Sequence, residues 1–274
     1  MRRPLVLTAA TVAAALLCAG CSTADDGSRD KSAAASPSST SSSGPRSAVR
    51  AAVAALREDS AGFRQEIDLE GEGQVYGLTI TGGFDFAEDR GHLAVDLPGG
   101  AIDHSDQVFA DGKIYISGSG AQEIGEDAWG VVPRDKAQAH YLLRAPLNDP
   151  EHVLQQIAAM REISRHGEEN VQGVRTVRYR GILDHRTVTL RMAPDVRTKT
   201  EQVRDALGSD LPVFADAWVD GRGRLVQARM SVNLSGAQVT LTMALSDIGE
   251  PVRVTVPRAA DTIPVTKVGG ILSG

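Results

Sequence analysis

The stretch from Ser60 to Phe86 reads SAGFRQEIDLEGEGQVYGLTITGGFDF, and it decides the fold of the chain. Its first part alternates large apolar residues with charged ones, namely Phe63, Ile67 and Leu69 with Arg64, Glu66 and Asp68. A period of two is typical of a strand with one buried face. After Gly71-Glu72-Gly73, the runs Leu78-Thr79-Ile80-Thr81 and Phe84-Asp85-Phe86 continue the pattern. The stretch therefore predicts antiparallel strands joined by glycine-containing turns.

The same pattern continues after this stretch and predicts about ten or eleven strands in all. The further strands are expected over residues 91–97, 107–110, 113–117, 128–132, 174–183, 187–192, 215–219, 225–234, 238–245 and 252–256. Long antiparallel sheets twist, so a sheet of this size must curl into a barrel or half-barrel. If its concave face is incompletely filled, it encloses an apolar cavity.

Three segments have helical rather than strand character. Ser47 to Arg57 is rich in alanine, with apolar residues at helical spacing and Ser47 as a possible cap. Asp149-Pro150-Glu151 is a typical helix start, with a capping residue before proline. Lys199 to Leu207 is weaker, with Val203 and Leu207 to bury. The predicted class is α+β, a strongly curved antiparallel half-barrel with two or three helices on its concave side.

The N-terminus has the three parts of an export signal. Arg2 and Arg3 precede an apolar run from Leu5 to Leu17, which is too short to span a bilayer, and Ala19-Gly20 precede Cys21. The segment resembles the bacterial lipobox, although Cys18 stands three residues before Cys21, where leucine is usual. Residues 1–20 are thus a predicted lipoprotein signal peptide, and Cys21 is the predicted lipidation site. The alternative is an ordinary cleaved secretory signal.

The Ser- and Ala-rich segment at residues 21–45 has almost no large apolar residues, which predicts a disordered tether. We expect the protein on the extracytoplasmic face of the cell membrane, held by an N-terminal lipid anchor. Loss of Arg2 and Arg3 with the leader takes the formal net charge from −6 to −8. This charge disfavours nucleic acid and repels anionic headgroups overall. With Cys18 removed and Cys21 acylated, no thiol remains for a disulfide or a zinc site.

No enzyme motif is found in the sequence. It lacks the nucleophile elbow, the zinc-binding His-Glu-x-x-His helix and the phosphate-binding loop. The acidic residues Asp103, Asp106 and Asp111 near His104 lack the spacing of a calcium loop. The six histidines are scattered, which indicates solvated loop positions. We therefore expect no catalytic residues, no metal and no cofactor.

An ordered series of short motifs resembles a known family. The motifs are Val171–Gly181, Leu211–Val213, Ala217–Asp220, Gly223–Val226, Val239–Thr242, Ser246–Gly249 and Pro251–Pro257. In order and spacing they are similar to the LppX/LprAFG lipoproteins of actinobacteria, whose half-barrel is related to the LolA, LolB and RseB folds. The resemblance implies a domain over residues 46–260 that binds a lipid or an acylated glycolipid in an apolar cavity. Residues 261–274 are left as a C-terminal tail.

Ten large apolar residues are candidates to line that cavity, or alternatively to form a packed core. They are Phe63, Ile67, Leu78, Ile80, Phe84, Tyr115, Trp129, Tyr179, Trp218 and Met230. The predicted function is binding of a lipid or other amphipathic molecule for transport or presentation in the envelope. The alternative is an RseB-like interaction or sensor module, with an envelope protein as partner and the Trp218 hairpin as its contact surface.

Overall fold

The computed structural model describes residues 44–71, 73–97, 104–117, 125, 128–234 and 236–265. Its strands are β1 (Ser60–Gly71), β2 (Gln74–Asp85), β3 (Arg90–Asp96), β4 (His104–Ala110), β5 (Lys113–Ser117), β6 (Trp129–Pro133), β7 (Arg161–Val171), β8 (Val174–Leu183), β9 (Val213–Asp220), β10 (Leu225–Leu234), β11 (Ala237–Ser246) and β12 (Thr262–Pro264). Its α-helices are α1 (Pro45–Arg57), α2 (Pro150–Ala158), α3 (His185–Val188) and α4 (Pro194–Leu207).

All twelve strands described belong to one sheet, in the order β12-β6-β5-β4-β3-β2-β1-β11-β10-β9-β8-β7. The order divides the sheet into two meanders, β1 to β6 and β7 to β11. They join where β1 pairs with β11, with Phe63 opposite Leu245. The sheet is strongly curved and is not closed, with β12 and β7 as its two edges. The predicted α+β half-barrel is therefore confirmed.

The sheet differs from the prediction in size and in one pairing. It has twelve strands instead of ten or eleven, and the described chain has four α-helices instead of two or three. Every neighbouring pair is antiparallel except β12 and β6, which are parallel. Because Thr262 to Pro264 form β12, part of the segment predicted as a C-terminal tail belongs to the sheet.

Three local predictions differ from the structure, two of them for identifiable reasons. The strand β7 was missed because it is an edge strand with no regularly buried face, and its pairing with β8 has two register shifts. The strand predicted at 187–192 is replaced by α3 and turns, because the Asp184 carboxylate accepts hydrogen bonds from both the amide and the hydroxyl of Thr187 and caps a helix there. The segment 252–256 pairs with no strand in the described structure.

The helix α1 covers part of the concave face. It begins one residue after Gly44, with Pro45 in its first turn, and Ser47 donates its hydroxyl proton to the Gly44 carbonyl instead of capping an amide. One stripe is buried, consisting of Val49, Ala52, Val53 and Leu56. The helix packs against α2 and against strands β1, β7, β9 and β10. A single terminal helix therefore spans the interior of the curved sheet.

The helix α2 begins as the sequence predicts. The Asp149 carboxylate accepts a hydrogen bond from the Glu151 amide at 3.1 Å, and Pro150 occupies the first helical turn. The side chains of Val153, Leu154 and Ile157 are fully buried in the main core. The helix α4 is different, because Val203 and Leu207 are 43% and 50% exposed. The expectation that both are buried was wrong.

Gly82 allows close approach of β2 and β3, and it gives a test of the sheet. A Cβ atom at Gly82 would overlap the carbonyl oxygen of His92 and lie 2.8 Å from the Cα of Leu93. We expect Gly82→Ala to lower the free energy of unfolding by about 1–3 kcal/mol, because two strands must separate. The control is Gly71→Ala, whose added Cβ would have its nearest neighbour at 3.7 Å. Urea unfolding measures the free energy of unfolding of both variants, and equal values would contradict the packing argument.

Candidate functional site

Seven of the ten candidate cavity residues lie on the concave side. Phe63, Ile67, Leu78, Ile80, Phe84 and Met230 are buried members of the main core, and Tyr179 packs against it. This core is continuous with the buried stripe of α1 and with the inner face of α2. In the described structure the two helices therefore occupy the space over the sheet. A role of these seven residues in contacting a ligand stays a prediction.

The other three candidates face the opposite side of the sheet. Tyr115 and Trp129 belong to or pack against a small separate cluster with Val108 and Ala110. Trp218 lies between Ala217 and Val219, which both point into the main core, so its side chain points away from it. The prediction that these three aromatic residues line a concave cavity was wrong. Alternation separates the two faces of a strand without indicating which face is concave.

Trp218 is held in a polar network on that outer face. Its indole nitrogen donates to a Glu169 carboxylate oxygen at 2.8 Å, and the Arg178 guanidinium lies 5.1 Å from the ring centroid. Arg178 and Arg180 also donate to the Asp216 carboxylate at 2.8 and 3.0 Å. Burial raises the pKa of Asp216, but these hydrogen bonds outweigh it and the pKa is lowered. Because Trp218 is only 4% exposed, its side chain offers little contact surface to a partner protein.

An ion pair fixes α2 to the sheet. The guanidinium of Arg134, which follows β6, donates to the two Asp149 carboxylate oxygens at 2.8 Å each, and it also contacts Asp89. It lies 5.3 Å from the ring centroids of both Phe84 and Phe109. Burial opposes the charge, but the hydrogen bonds that Arg134 donates to Asp149 hold the pKa of Arg134 above its usual value. Asp149 thus joins the start of α2 to the sheet core.

Two further polar side chains are buried beside α2. The Arg144 guanidinium donates to the Asn148 side-chain oxygen at 2.7 Å, and burial lowers the pKa of Arg144 to about 10. His152, on the inner face of α2, is 1% exposed. Burial lowers its pKa to about 4, against the smaller opposing effect of Asp149. The interpretation of all six histidines as solvated was therefore wrong for His152.

Three of the open grooves on the described structure have volumes of about 470, 440 and 480 Å³. Each groove has charged residues in its lining, so none of the three is the apolar chamber that the sequence predicts. The two grooves of about 440 and 480 Å³ lie over strands and share Thr81 and Gly82. The groove of about 470 Å³ lies between α1, the end of α2, the start of β7 and α3.

This last groove, called the arginine groove below, is the candidate functional site. Arg46 and Arg50 of α1 form one wall, and Arg161 of β7 and Arg186 of α3 contribute to the other. Met160 also lines it, and this side chain is fully buried in the main core. The arginine groove therefore borders the apolar core beside α1. These residues are far apart in the sequence and carry no common motif, so sequence reasoning missed them.

The remaining predictions concern other parts of the chain. His104 contacts Asp96 at 2.7 Å and Asp106 at 3.3 Å in an exposed cluster, and the hydrogen bond that His104 donates to the Asp96 carboxylate raises the pKa of His104. The described residues contain no group of three side chains arranged to bind a metal ion. In the described ranges, no helix has the length and apolar character to cross a bilayer. Cys21, Asp103 and the predicted tether lie outside the described residues.

Comparisons with known proteins do not assign the chain to a family. No protein-family model matches the chain. An uncharacterized 31.2 kDa protein from Streptomyces griseus, encoded in the rplA-rplJ intergenic region, is 26% identical over 262 residues. That alignment covers 81% of this chain and 83% of the relative.

His152 gives a test of the buried site. Its folded pKa lies below the unfolded value of 6.5, so the unfolded state binds the additional proton and stability is lost as pH falls from 6.5 towards 4. We expect the free energy of unfolding to fall by roughly 3 kcal/mol more in the wild type than in His152→Asn between about pH 7 and pH 4. Denaturant unfolding at each pH measures the free energy of unfolding of both proteins. The control is His166→Asn, at an exposed position. Parallel pH profiles for the wild type and His152→Asn would contradict the burial.

Several solved structures are similar to the chain. LppX from Mycobacterium tuberculosis has a TM-score of 0.48 at 13% identity, covering 77% of this chain and 97% of LppX. LprF from Mycobacterium bovis has a TM-score of 0.46 at 13% identity, covering 78% and 96%. The MucA/MucB complex of Pseudomonas aeruginosa has a TM-score of 0.37 at 14% identity, covering 81% of this chain and 64% of the matched chain. LppX and LprF, which the resemblance names, are among the similar structures. The half-barrel itself is established by the chain's own sheet.

Proposed function

We propose that this domain binds an amphipathic molecule, without catalysing a reaction, and that the acyl chain of the ligand takes the place of α1 on the concave face. The observation that carries the proposal is the position of α1. It is the first element of the domain, and its apolar stripe lies in the interior of an open curved sheet. A terminal helix can leave this position without breaking any strand pairing.

The polar contacts of α1 with α2 are peripheral. The Arg57 guanidinium pairs with Glu151 at 2.7 Å, and both side chains are partly exposed. The Arg50 Nε donates to the Ala158 carbonyl at 3.3 Å. Partly exposed ion pairs contribute little to stability. Apolar contact is therefore the main attraction that holds α1 in place, and another apolar group can replace it.

The burial free energy of the α1 side chains is comparable to that of an acyl chain. Burial of Val49, Val53 and Leu56 contributes about 1.5–3 kcal/mol for each side chain, or roughly 5–9 kcal/mol together. A buried methylene contributes about 0.8 kcal/mol, so roughly six to eleven methylenes offset the loss of α1. A fatty acyl chain has this length. The exchange requires no large unfilled cavity in the free protein, which agrees with the packed interior.

Weakening α1 tests the exchange. We expect Leu56→Ala to bind a fluorescent fatty acyl probe more tightly than the parent by on the order of tenfold, because the open state becomes more populated. The background is the full chain with Cys21→Ser, which cannot be acylated at that position. The matched control is Leu93→Ala in β3, which removes the same atoms from the same core. Both changes are expected to cost about 2–5 kcal/mol of stability.

Fluorescence titration and denaturant unfolding on the same samples separate the possible results. A gain of affinity confined to Leu56→Ala supports exchange of α1 with the acyl chain. Equal affinities in the two variants would show that loss of core packing alone explains any gain. No binding of the probe to any variant, with no lipid found by native mass spectrometry, would refute lipid binding.

The location of the protein is a further part of the proposal. Cys21 follows an apolar run and small residues, which supports acylation at this cysteine and an extracytoplasmic position on the cell membrane. We expect the parent chain to fractionate with membranes and Cys21→Ser to be recovered in the soluble fraction. Metabolic labelling with a palmitate analogue measures the acylation. The control is Cys18→Ser, and labelling of Cys21→Ser equal to the parent would contradict the assignment.

A further inference from the structure

The outer face of the sheet carries a groove that the proposed function does not use. It has a volume of about 440 Å³ and lies over strands on the side of the sheet opposite the helices. This groove is called the tryptophan groove below, and its lining includes Thr81, His92, Asp106, Trp129, Arg253 and Thr255. Its volume lies within the range of small-ligand sites. No residue of α1 lines it, so its shape does not depend on whether α1 occupies the concave face.

The floor of the tryptophan groove is a row of side chains that crosses five strands. Thr81 of β2 lies opposite Ala94 of β3, which lies opposite Asp106 of β4. The Asp106 amide donates a hydrogen bond to the Ser117 hydroxyl at the end of β5, and Ser117 lies opposite Trp129 of β6. Adjacent strands are about 4.8 Å apart, so four intervals give the row a length of roughly 19 Å. The floor is therefore long enough for an extended ligand, with the indole at one end.

The chain segment 252–256 forms one wall of the groove. The Arg90 guanidinium donates to the Val254 carbonyl at 3.3 Å, and the Val254 side chain packs against the small hydrophobic cluster of the outer face. Arg253 and Thr255, which flank Val254, line the groove. The segment pairs with no strand in the described structure, but these contacts fix its position. It thereby places a guanidinium and a hydroxyl beside the floor.

The polar groups of the groove are available to a ligand. Within the described structure, four of its side chains form no hydrogen bond or ion pair, namely Thr81, His92, Arg253 and Thr255. The Asp106 side chain contacts His104 at 3.3 Å and is 56% exposed. The lining contains one arginine and one carboxylate, so with histidine counted as neutral it has no net formal charge. The groove therefore offers both donors and acceptors without attracting either sign of charge.

The lining selects among classes of ligand. An acyl chain would cover the Asp106 carboxylate and the Thr81 hydroxyl without giving either a hydrogen bond, which is unfavourable. A strongly charged ligand finds no excess of opposite charge. An extended peptide commonly binds by pairing with a sheet edge, but each of the strands β2 to β6 already has a neighbour on both sides. An uncharged molecule that is rich in hydroxyl groups, with an apolar face for the indole, fits best.

We propose that the tryptophan groove binds an uncharged linear oligosaccharide. One sugar ring lies against the indole of Trp129, because the C–H face of a pyranose is apolar and packs on an aromatic surface. The Asp106 carboxylate accepts hydrogen bonds from sugar hydroxyls, and the Arg253 guanidinium donates to sugar oxygens. Further rings follow the floor towards Thr81. This inference does not rest on the proposed function, since the groove lies on the other face of the sheet.

The experiment uses the full chain with Cys21→Ser and soluble tetrasaccharides as probes. The uncharged probes are cellotetraose, maltotetraose and the tetramer of N-acetylglucosamine, and the anionic probe is tetragalacturonate. Isothermal titration calorimetry is expected to give a Kd of about 1 mM or lower for at least one uncharged probe. Tetragalacturonate is expected to bind more weakly, because the groove has no excess of positive charge. No binding of any uncharged probe, or tightest binding of tetragalacturonate, would overturn the proposal.

Two variants with matched controls test the groove. Trp129→Leu and Asp106→Asn are each expected to weaken binding of the tightest uncharged probe by on the order of tenfold, through loss of the ring contact and of the charged acceptor. The control for the first is Tyr76→Leu, at an exposed aromatic residue outside the groove. The control for the second is Asp96→Asn, which removes the other carboxylate that contacts His104. Circular dichroism and thermal unfolding check folding, and exposed Asp106 keeps the test decisive if Trp129→Leu fails to fold. Losses of equal size in a variant and its control would overturn the proposal.

The fatty acyl probe separates this groove from the proposed lipid site. Both groove variants are expected to bind the acyl probe with the affinity of the parent chain, and a saturating tetrasaccharide is expected to leave that affinity unchanged. Competition between the two probes would place the saccharide on the concave face and overturn its assignment to the tryptophan groove. If the acyl probe does not bind while the groove variants lose saccharide binding, the proposed function fails and the saccharide site stands.

Discussion

The ion pair between Arg134 and Asp149 is the interaction on which the arrangement of the concave side depends. Asp149 accepts two hydrogen bonds from Arg134 and caps α2 through the Glu151 amide. Removing one partner of such a buried pair leaves an uncompensated charge, which costs about 3–5 kcal/mol. The helix α2 is therefore fixed to the sheet at its first residue. The helix α1 is instead held mainly by apolar contact. The helical layer therefore has one helix fixed by an ion pair, α2, and one helix, α1, that the proposed ligand replaces.

This division gives a physical basis for the proposed binding of an apolar ligand by a packed domain. Unfilled apolar volume in a core costs stability, so a permanent empty cavity would weaken a domain that has to fold alone. A helix that fills the space in the free state removes this cost. The domain then needs one element that can leave without breaking the sheet, and an element that precedes the first strand meets the requirement. The helix α1 has this position, and α2 does not.

Much of the fold could be predicted from the sequence because the strand pattern is local. The alternation around Phe63 and Ile67 identifies β1, and the Asp149-Pro150 start identifies α2. The edge strand β7 lacks such a pattern, since an edge exposed on both faces does not require alternation. The positions of Tyr115 and Trp218 on the outer face also could not be predicted. Their strands alternate as expected, but the direction of curvature depends on the whole sheet.

The candidate site was less predictable than the fold, because it depends on long-range contacts. Arg50 and Arg161 approach each other only after α1 packs across the sheet and β7 takes its place at the edge. No spacing in the sequence marks them, since each arginine alone is an ordinary surface residue. His152 was misjudged for a related reason. It sits at the start of a helix whose inner face is defined by the Arg134 ion pair, so its burial follows from a tertiary contact.

The charge distribution completes the physical description. The chain has a net negative charge, whereas the arginine groove is lined by four arginines and one aspartate. At physiological ionic strength the screening length is about 8 Å, so the positive field of the groove acts only at short range. The net charge of the chain therefore does not describe the electrostatic character of this site.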